Sequence, residues 1–286
     1  MRAPSLSPGD LESLPHPILA MAKEYAHGAV VAPHRHGRAQ LLFATRGTMR
    51  VTTTESAWIV PPLRAVWIPP GTEHALAMTG AVSMRTLFLR ADIAPFLPRT
   101  ACRVVEVSAL LRALILAAVA EEPAAACDEA CKADDPPTRR AELIGALILS
   151  ELERAAEVPL RLPLPRDPRL LALCRALLDD PARGDTLDSW ADGAGASART
   201  LARLFRQHTG LTFGAWRQQA RLAEAVAQLA LGKPIAAVAR AAGYDSASAF
   251  TAMFRRTLGT TPSLYLGDIP ATADGDFTVE TISPCI

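Results

Sequence analysis

The stretch from His27 to Gly47, HGAVVAPHRHGRAQLLFATRG, gathers three histidines and a glutamine before it turns apolar. Such a run can be a metal site, a catalytic centre or a turn between strands. Neutral imidazole is a common metal ligand and also exchanges protons near neutral pH. Cys127 and Cys131 stand at i and i+4, so a helix would bring both thiols to one face. That spacing suits a redox or soft-metal clip, or two tolerated cysteines in a flexible loop. Trp58 and Trp67 either line a ligand pocket or fill a core. The chain carries no phosphate-binding loop, no nucleophile elbow and no dinucleotide fingerprint.

The elements that must hold these residues belong to a chain of 286 residues, half of them hydrophobic and 21% charged. That length suits two domains with real cores. Apolar runs are interrupted well before membrane-spanning length, so no membrane partner is expected. The start, MRAPSLSPGDLESLPHP, has no apolar signal region, and the five cysteines are odd in number and scattered. Reduced thiols in the cytoplasm are therefore expected. The net charge of +1 hides an asymmetry: residues 166–266 hold 13 lysines and arginines against 8 acids. A basic block in a near-neutral chain points to a polyanion partner.

Residues 1–17 are proline-rich and read as a flexible N-terminus. Residues 18–100 have β texture. TMRVTTTESAWIV alternates, with Met49, Val51 and Thr53 on one face. AVWIPPG and SMRTLFLR are further short strands, and Pro61-Pro62, Pro69-Pro70-Gly71 and Thr79-Gly80 supply breaks. A small barrel or sandwich is expected. Residues 101–158 hold two amphipathic helices, near 106–122 and 138–157, whose leucines could also bury a partner's surface. Residues 159–167 read as a proline-punctuated linker, 168–266 as all-helical, and 267–286 as a loose tail. The fold class is α+β, a β-barrel with a helical pair followed by an all-α domain.

The strongest signal is an internal repeat. TLDSWADGAGASARTLARLFRQHTG overlays PIAAVARAAGYDSASAFTAMFRRTLG, with Gly195 on Gly243, Ser197 on Ser246, Leu201 on Phe250, Phe205 on Phe254 and Gly210 on Gly259. Each copy is a short helix, a glycine turn, a longer helix and a closing glycine, the pattern of a helix-turn-helix. The turn glycines can go left-handed, and Ser197, with Asp245 or Ser246, can cap the second helix. Arg199, Thr200, Arg203 and Gln207 then stand on the outer face of the first copy. Ser248, Thr251, Arg255 and Arg256 stand on that of the second. Arginine suits the paired acceptors of guanine in a major groove, and hydroxyls suit phosphate. Between the copies a helix from about Phe213 to Leu231 spans roughly 25–30 Å. It could hold two reading helices about one DNA turn, roughly 34 Å, apart.

This arrangement resembles the DNA-binding domain of the AraC/XylS family of transcription regulators, over about residues 168–266. GYDSASAFTAMFRRTLGTTPSLYL looks like the family's second helix-turn-helix, and SARTLARLFRQHTGLTFGAWRQQARL like its first recognition helix and linker. The resemblance implies two reading units on double-stranded promoter DNA, with Ser197, Arg199, Thr200, Arg203, Gln207, Ser246, Ser248, Thr251 and Arg255 as the contacting set. Arg199 and Arg203 fall at base-reading positions. Ser248 and Ala252 fall at the matching places of the second unit, which would then contribute more phosphate and shape contacts.

The first half resembles the cupin superfamily. Gly28, His34-x-His36, Gln40 and Gly47 follow the spacing of its first motif, and Pro69-x-Gly71-x2-His74 the core of its second. The resemblance implies a small β-barrel and a divalent metal held by His34, His36, Gln40 and His74. Gln40 stands where the family carries glutamate, Leu63 replaces a leading glycine and Met78 a final asparagine. Three imidazoles on neighbouring strands suit zinc, nickel, iron or copper. The other reading is that the histidines cap a barrel mouth or touch an organic ligand.

The expected function is a one-component regulator and not an enzyme. Its cupin-like domain senses a small molecule or a metal, its helical pair supports a homodimer, and it meets RNA polymerase if it activates. The alternative is a cupin-type metalloenzyme, an oxygenase or isomerase, with a helical appendage, in which the repeat has no role.

Overall fold

The computed structural model describes residues 16–93, 101–120, 139–158, 160–181, 183–267 and 281–283. In chain order the strands are β1 (Ile18–Tyr25), β2 (Val30–His34), β3 (Ala39–Thr52), β4 (Ser56–Val60), β5 (Arg64–Ile68), β6 (His74–Leu89), β7 (Arg103–Glu106), β8 (Glu157–Val158), β9 (Arg161–Pro163) and β10 (Thr281–Ser283). The helices are α1 (Ala109–Ala120), α2 (Arg139–Arg154), α3 (Pro168–Asp179), α4 (Leu187–Ala194), α5 (Ala198–Thr209), α6 (Phe213–Ala230), α7 (Ile235–Ala241), α8 (Ala247–Leu258) and α9 (Pro262–Gly267). They form two compact units. One comprises residues 1–50, 60–158 and 270–286, the other 51–59 and 159–269.

The first unit is a sheet ordered β10-β1-β6-β3-β5-β7-β8, with β2 also on β6. Pairings are antiparallel, as in β1 on β6 from Ile18↔Leu89 to Tyr25↔Val82. β6 neighbours β3 and also changes between two other partners: residues 74–77 face β2 and residues 82–89 face β1. Thr79-Gly80 lies inside this long strand rather than breaking it. Gly80 takes φ 78° where the partner changes, which lets the strand bend and continue. Gly47 has the stricter demand. At φ 74°, a Cβ would run into the Ala81 carbonyl and come within 2.7 Å of Val82 Cγ2. Only glycine lets these backbones lie so close.

Side chains alternate across the sheet. Ile18, Ala20, Leu41, Phe43, Trp67, Leu87 and Leu89 form one face, packed against Leu111, Leu114 and Ile115 of α1 and Ile144, Ile148 and Leu152 of α2. The helical pair therefore covers the sheet, and Trp67 is core. Leu110, Leu143 and Leu147 on the far side remain about half exposed. Helix was expected from residue 106. Instead Arg103–Glu106 forms β7, paired with β5, and α1 begins at Ala109. The tail was read as loose, yet Thr281–Ser283 adds antiparallel to β1.

The second unit carries two small cores on one helix. Phe213, Trp216, Ala220 and Ala223 of α6 join Leu170, Leu173, Cys174, Leu177, Leu201 and Phe205. Leu222, Ala225, Val226 and Leu229, further along α6, join Val238, Ala239, Phe250, Met253 and Phe254. Burial pushes the Cys174 thiol pKa far up, so it packs as an inert side chain. Residues 159–167, read as linker, contain β9. It pairs with β4 (Ser56↔Pro163 to Trp58↔Arg161) and sends Leu162 and Leu164 into the first of these cores. The Trp216 indole N–H donates to the Pro163 carbonyl at 2.8 Å. Buried leucines at alternate positions and a carbonyl held by the Trp216 indole make that stretch a strand despite its prolines. Cys127, Cys131 and Cys285 lie outside the described residues, as do residues 1–15.

Candidate functional site

The centre of the first unit is built where β2 meets β6. Antiparallel register sets His34 directly across from His74, just after a bulge in β2. His36 follows in the turn, and its carbonyl accepts the Gly71 amide at 2.8 Å, which ties the Pro-Pro-Gly turn of the second motif to the first. Ring centroids are 4.3 Å apart for His34–His74, 5.4 Å for His36–His74 and 6.1 Å for His34–His36. His36 and His74 are buried and His34 is partly open.

All three rings are fixed in the same way. Nδ1 lies 2.9 Å from the Ala32 carbonyl in His34, 2.7 Å from Arg38 in His36 and 2.9 Å from Thr72 in His74. A carbonyl only accepts, so each Nδ1 carries the hydrogen and the neutral ring presents a lone pair at Nε2. This backbone clamp is the arrangement that orients metal-ligating histidines. The ligand atoms of His34, His36 and His74 lie within 4.8 Å of one another. His74 Nε2 is buried without a hydrogen-bond partner. Burial, with smaller effects from His34 and His36, lowers its pKa to about 4 against the pull of the Thr72 bond, so the ring is neutral at physiological pH.

Gln40, at the start of β3, is buried and 3.0 Å from His36 Nε2. Its other amide atom is 3.1 Å from Thr86 Oγ1. Partners decide which amide atom is which. Gln40 Nε2 donates to the Thr86 hydroxyl at one end, and its Oε1 faces His36 Nε2 at the other. Gln40 is thus joined to the centre through His36. Sequence reasoning did not single out Thr86 or Phe88, whose ring meets His36 edge-on at 5.1 Å. The alternation of SMRTLFLR was the available signal, since it sets Thr86 and Phe88 on one face. The donor set fits a transition metal of borderline softness: three imidazole nitrogens, one an orphaned buried acceptor.

The second unit presents the repeated helices. Ser197 caps α5, its hydroxyl accepting the Thr200 amide at 3.3 Å and lying 3.0 Å from Thr200 Oγ1. Ser246 caps α8 by accepting the Ala249 amide at 3.1 Å, so it is the cap where Asp245 was the other candidate. Gly210 and Gly259 close these helices at φ 75° and 76°. Leu201 and Phe205, like Phe250 and Phe254, are fully buried. Arg199, Arg203 and Gln207 are exposed at four-residue spacing, hence on one face of α5. On α8, Ser248 and Arg255 are exposed and Thr251 half-buried, as is Thr200 on α5. α6, 18 residues long, stands between the two helix-turn-helix copies.

Residues 190–267 match the helix-turn-helix domain family, and residues 16–133 match the AraC-like ligand binding domain family. The chain is 34% identical over 233 residues to the HTH-type transcriptional regulator NimR of Escherichia coli K12, covering 82% of this chain and 81% of NimR. It is 30% identical over 131 residues to the arabinose operon regulatory protein of the same strain, covering 44% of this chain and 45% of that protein. RipA, an HTH-type transcriptional regulator of Corynebacterium glutamicum, is 38% identical over 103 residues, which cover 36% of this chain and 31% of RipA.

Proposed function

Since this chain belongs to the AraC family of DNA-binding transcriptional regulators with a ligand-binding domain, we propose that α5 and α8 enter successive major-groove segments of promoter DNA and that the histidine centre receives the effector. The observation that carries the DNA reading is the pair of serine-capped, glycine-closed helices, each with a buried aromatic face and an exposed polar one, joined by α6. Arg199 and Arg203 read base edges. Thr200, Gln207, Ser248, Thr251 and Arg255 position the backbone, and Ser197 and Ser246 act through the helix ends they cap.

His34, His36 and His74 would hold a zinc, nickel, iron or copper ion through Nε2, and the ion would supply open coordination positions for an effector or be the effector itself. The orphaned Nε2 of His74 supports this reading. The chain works by binding and not by catalysis. Differential affinity of the effector for two states of the regulator sets how DNA is read. The half-exposed Leu110, Leu143 and Leu147 support a homodimer through α1 and α2, which would raise affinity for paired sites. Contact with RNA polymerase follows if the regulator activates. Among the described residues no helix is long and apolar enough to cross a membrane, and an odd, scattered set of five cysteines suits the cytoplasm.

The test is selection of duplex DNA by the purified protein, with and without added metal, followed by gel shift over a salt series. Sequence-selective binding that falls steeply with salt supports the reading. Binding indifferent to sequence refutes it.

A further inference from the structure

Two arginines on α6 hold the backbone ahead of the first helix-turn-helix. Arg217 and Arg221 are four residues apart and so share a face. Arg217 donates from Nη1 to the Asp185 carbonyl at 3.0 Å, and Arg221 from Nε to the Pro181 carbonyl at 3.2 Å. Both carbonyls belong to the segment that leads into α4, the opening helix of the first helix-turn-helix. Arg221 also reaches the second helix-turn-helix. Its Nη1 lies against Gly243, the turn glycine of the second helix-turn-helix, where a Cβ would stand 2.8 Å from it. Beside it, Gln218 donates to the Tyr244 hydroxyl at 3.2 Å, and the Tyr244 ring meets Phe250 of α8 edge-on at 5.6 Å. A planar guanidinium with several fixed donors can touch two backbones at once, whereas an ammonium is a single point.

We propose that Arg221 is a positioning residue that sets the separation of the two reading helices by linking the Pro181 carbonyl beside the first helix-turn-helix to the Gly243 turn of the second. Gly243 is then a glycine for two reasons: its φ of 80° and the room it leaves for the guanidinium. The proposal rests on the reading of α5 and α8 as DNA-binding helices. It adds which residue fixes the distance between the segments they read.

The test uses the full chain and a randomised duplex library. Wild type is expected to select two segments at one fixed spacing. Arg221→Ala is expected to select the same segments with spacing spread over neighbouring base pairs. It should bind the wild-type site about tenfold more weakly, yet bind a duplex with one segment within about twofold of wild type, because what is lost is the effective concentration of the second unit. Arg221→Lys should fall between the two. Gly243→Ala, which pushes the guanidinium aside, should broaden the spacing as Arg221→Ala does. Unchanged spacing selectivity in Arg221→Ala overturns the proposal. So does an equal loss on the single segment, which would make Arg221 a DNA contact or a general prop of the fold. A wild type that selects no two-segment site overturns the DNA reading and the proposal together.

Discussion

His34 and His74 are register partners across β2 and β6, and their rings stand 4.3 Å apart. Two paired strands therefore hold this half of the centre, while His36 is tied in by its carbonyl's bond to Gly71. With every Nδ1 committed to a carbonyl, the rings can turn little without losing a hydrogen bond. His74→Ala is expected to abolish stoichiometric binding of zinc or nickel. Elemental analysis after dialysis against each metal checks this. Full metal content in the variant would place the ion elsewhere.

Gln40 shares one amide between two buried partners. Gln40→Leu leaves the Thr86 hydroxyl and His36 Nε2 without their partner in a closed interior. A loss of about 1–3 kcal/mol is expected for such orphaned groups. Urea unfolding measures it, and a neutral result would mean that the amide is dispensable to the fold.

At Gly47 both backbone conformation and space exclude a side chain. Gly47→Ala is expected to destabilise the protein by about 2 kcal/mol or more, because strain at positive φ adds to a clash with a neighbouring strand. Gly71 also has positive φ, but nothing lies within 4 Å of its Cβ position. Gly71→Ala should therefore cost clearly less when both variants are compared by thermal melting, and equal losses would discount the close approach.

Asp167 caps α3, accepting the Arg169 amide at 3.0 Å and pairing with the Arg169 guanidinium at 2.7 Å. The guanidinium's hydrogen bond above all, then the backbone amides of Arg169 and Leu170, hold the carboxyl at about 2. A depressed carboxylate contributes stability that is complete above its ordinary pKa of about 4 and is lost as pH falls towards 2. Asp167→Ala should cost about 1 kcal/mol at neutral pH, the value of a helix cap. The gap between variant and wild type should close between pH 4 and pH 2 in acid titrations of stability. A gap that persists at pH 2 would assign the loss to something other than this charge.

The two reading helices differ in their exposed residues. Arg203→Ala is expected to lose about 1–3 kcal/mol of discrimination at one base position, the worth of a paired arginine–guanine contact. Ser248→Ala should weaken binding with little change in preferred sequence. Binding-site selection with both variants decides, and a larger relaxation from Ser248→Ala would reverse the assignment.

The helix-turn-helix repeat was readable because its determinants are local. Ser197 and Gly210 mark the ends of α5 as Ser246 and Gly259 mark those of α8, and Leu201, Phe205, Phe250 and Phe254 fall on the buried faces as their spacing required. The histidine centre was readable in its members but not in its wiring. That His36 meets Gln40 while His74 Nε2 is left without a partner depends on how β2, β3 and β6 pair, and pairing between distant strands leaves no mark on spacing. Three errors share that origin. Thr79-Gly80 looked like a break because its strand changes partner there. Residues 161–163 looked like linker because their partner, β4, lies a hundred residues earlier. Thr281–Ser283 looked loose because β1 is further still.

The assignment of residues 51–59 to the same compact unit as residues 159–269 bears on how such regulators can be recombined. Ala57 and Ile59 pack in one cluster with Leu162, Leu164 and Trp216. A chimera that grafts this reading head onto a foreign sensor by a single crossover at residue 159 would leave part of that cluster behind. The graft would have to import the β4 hairpin as well, so this head is inherited in two pieces of the gene and not in one.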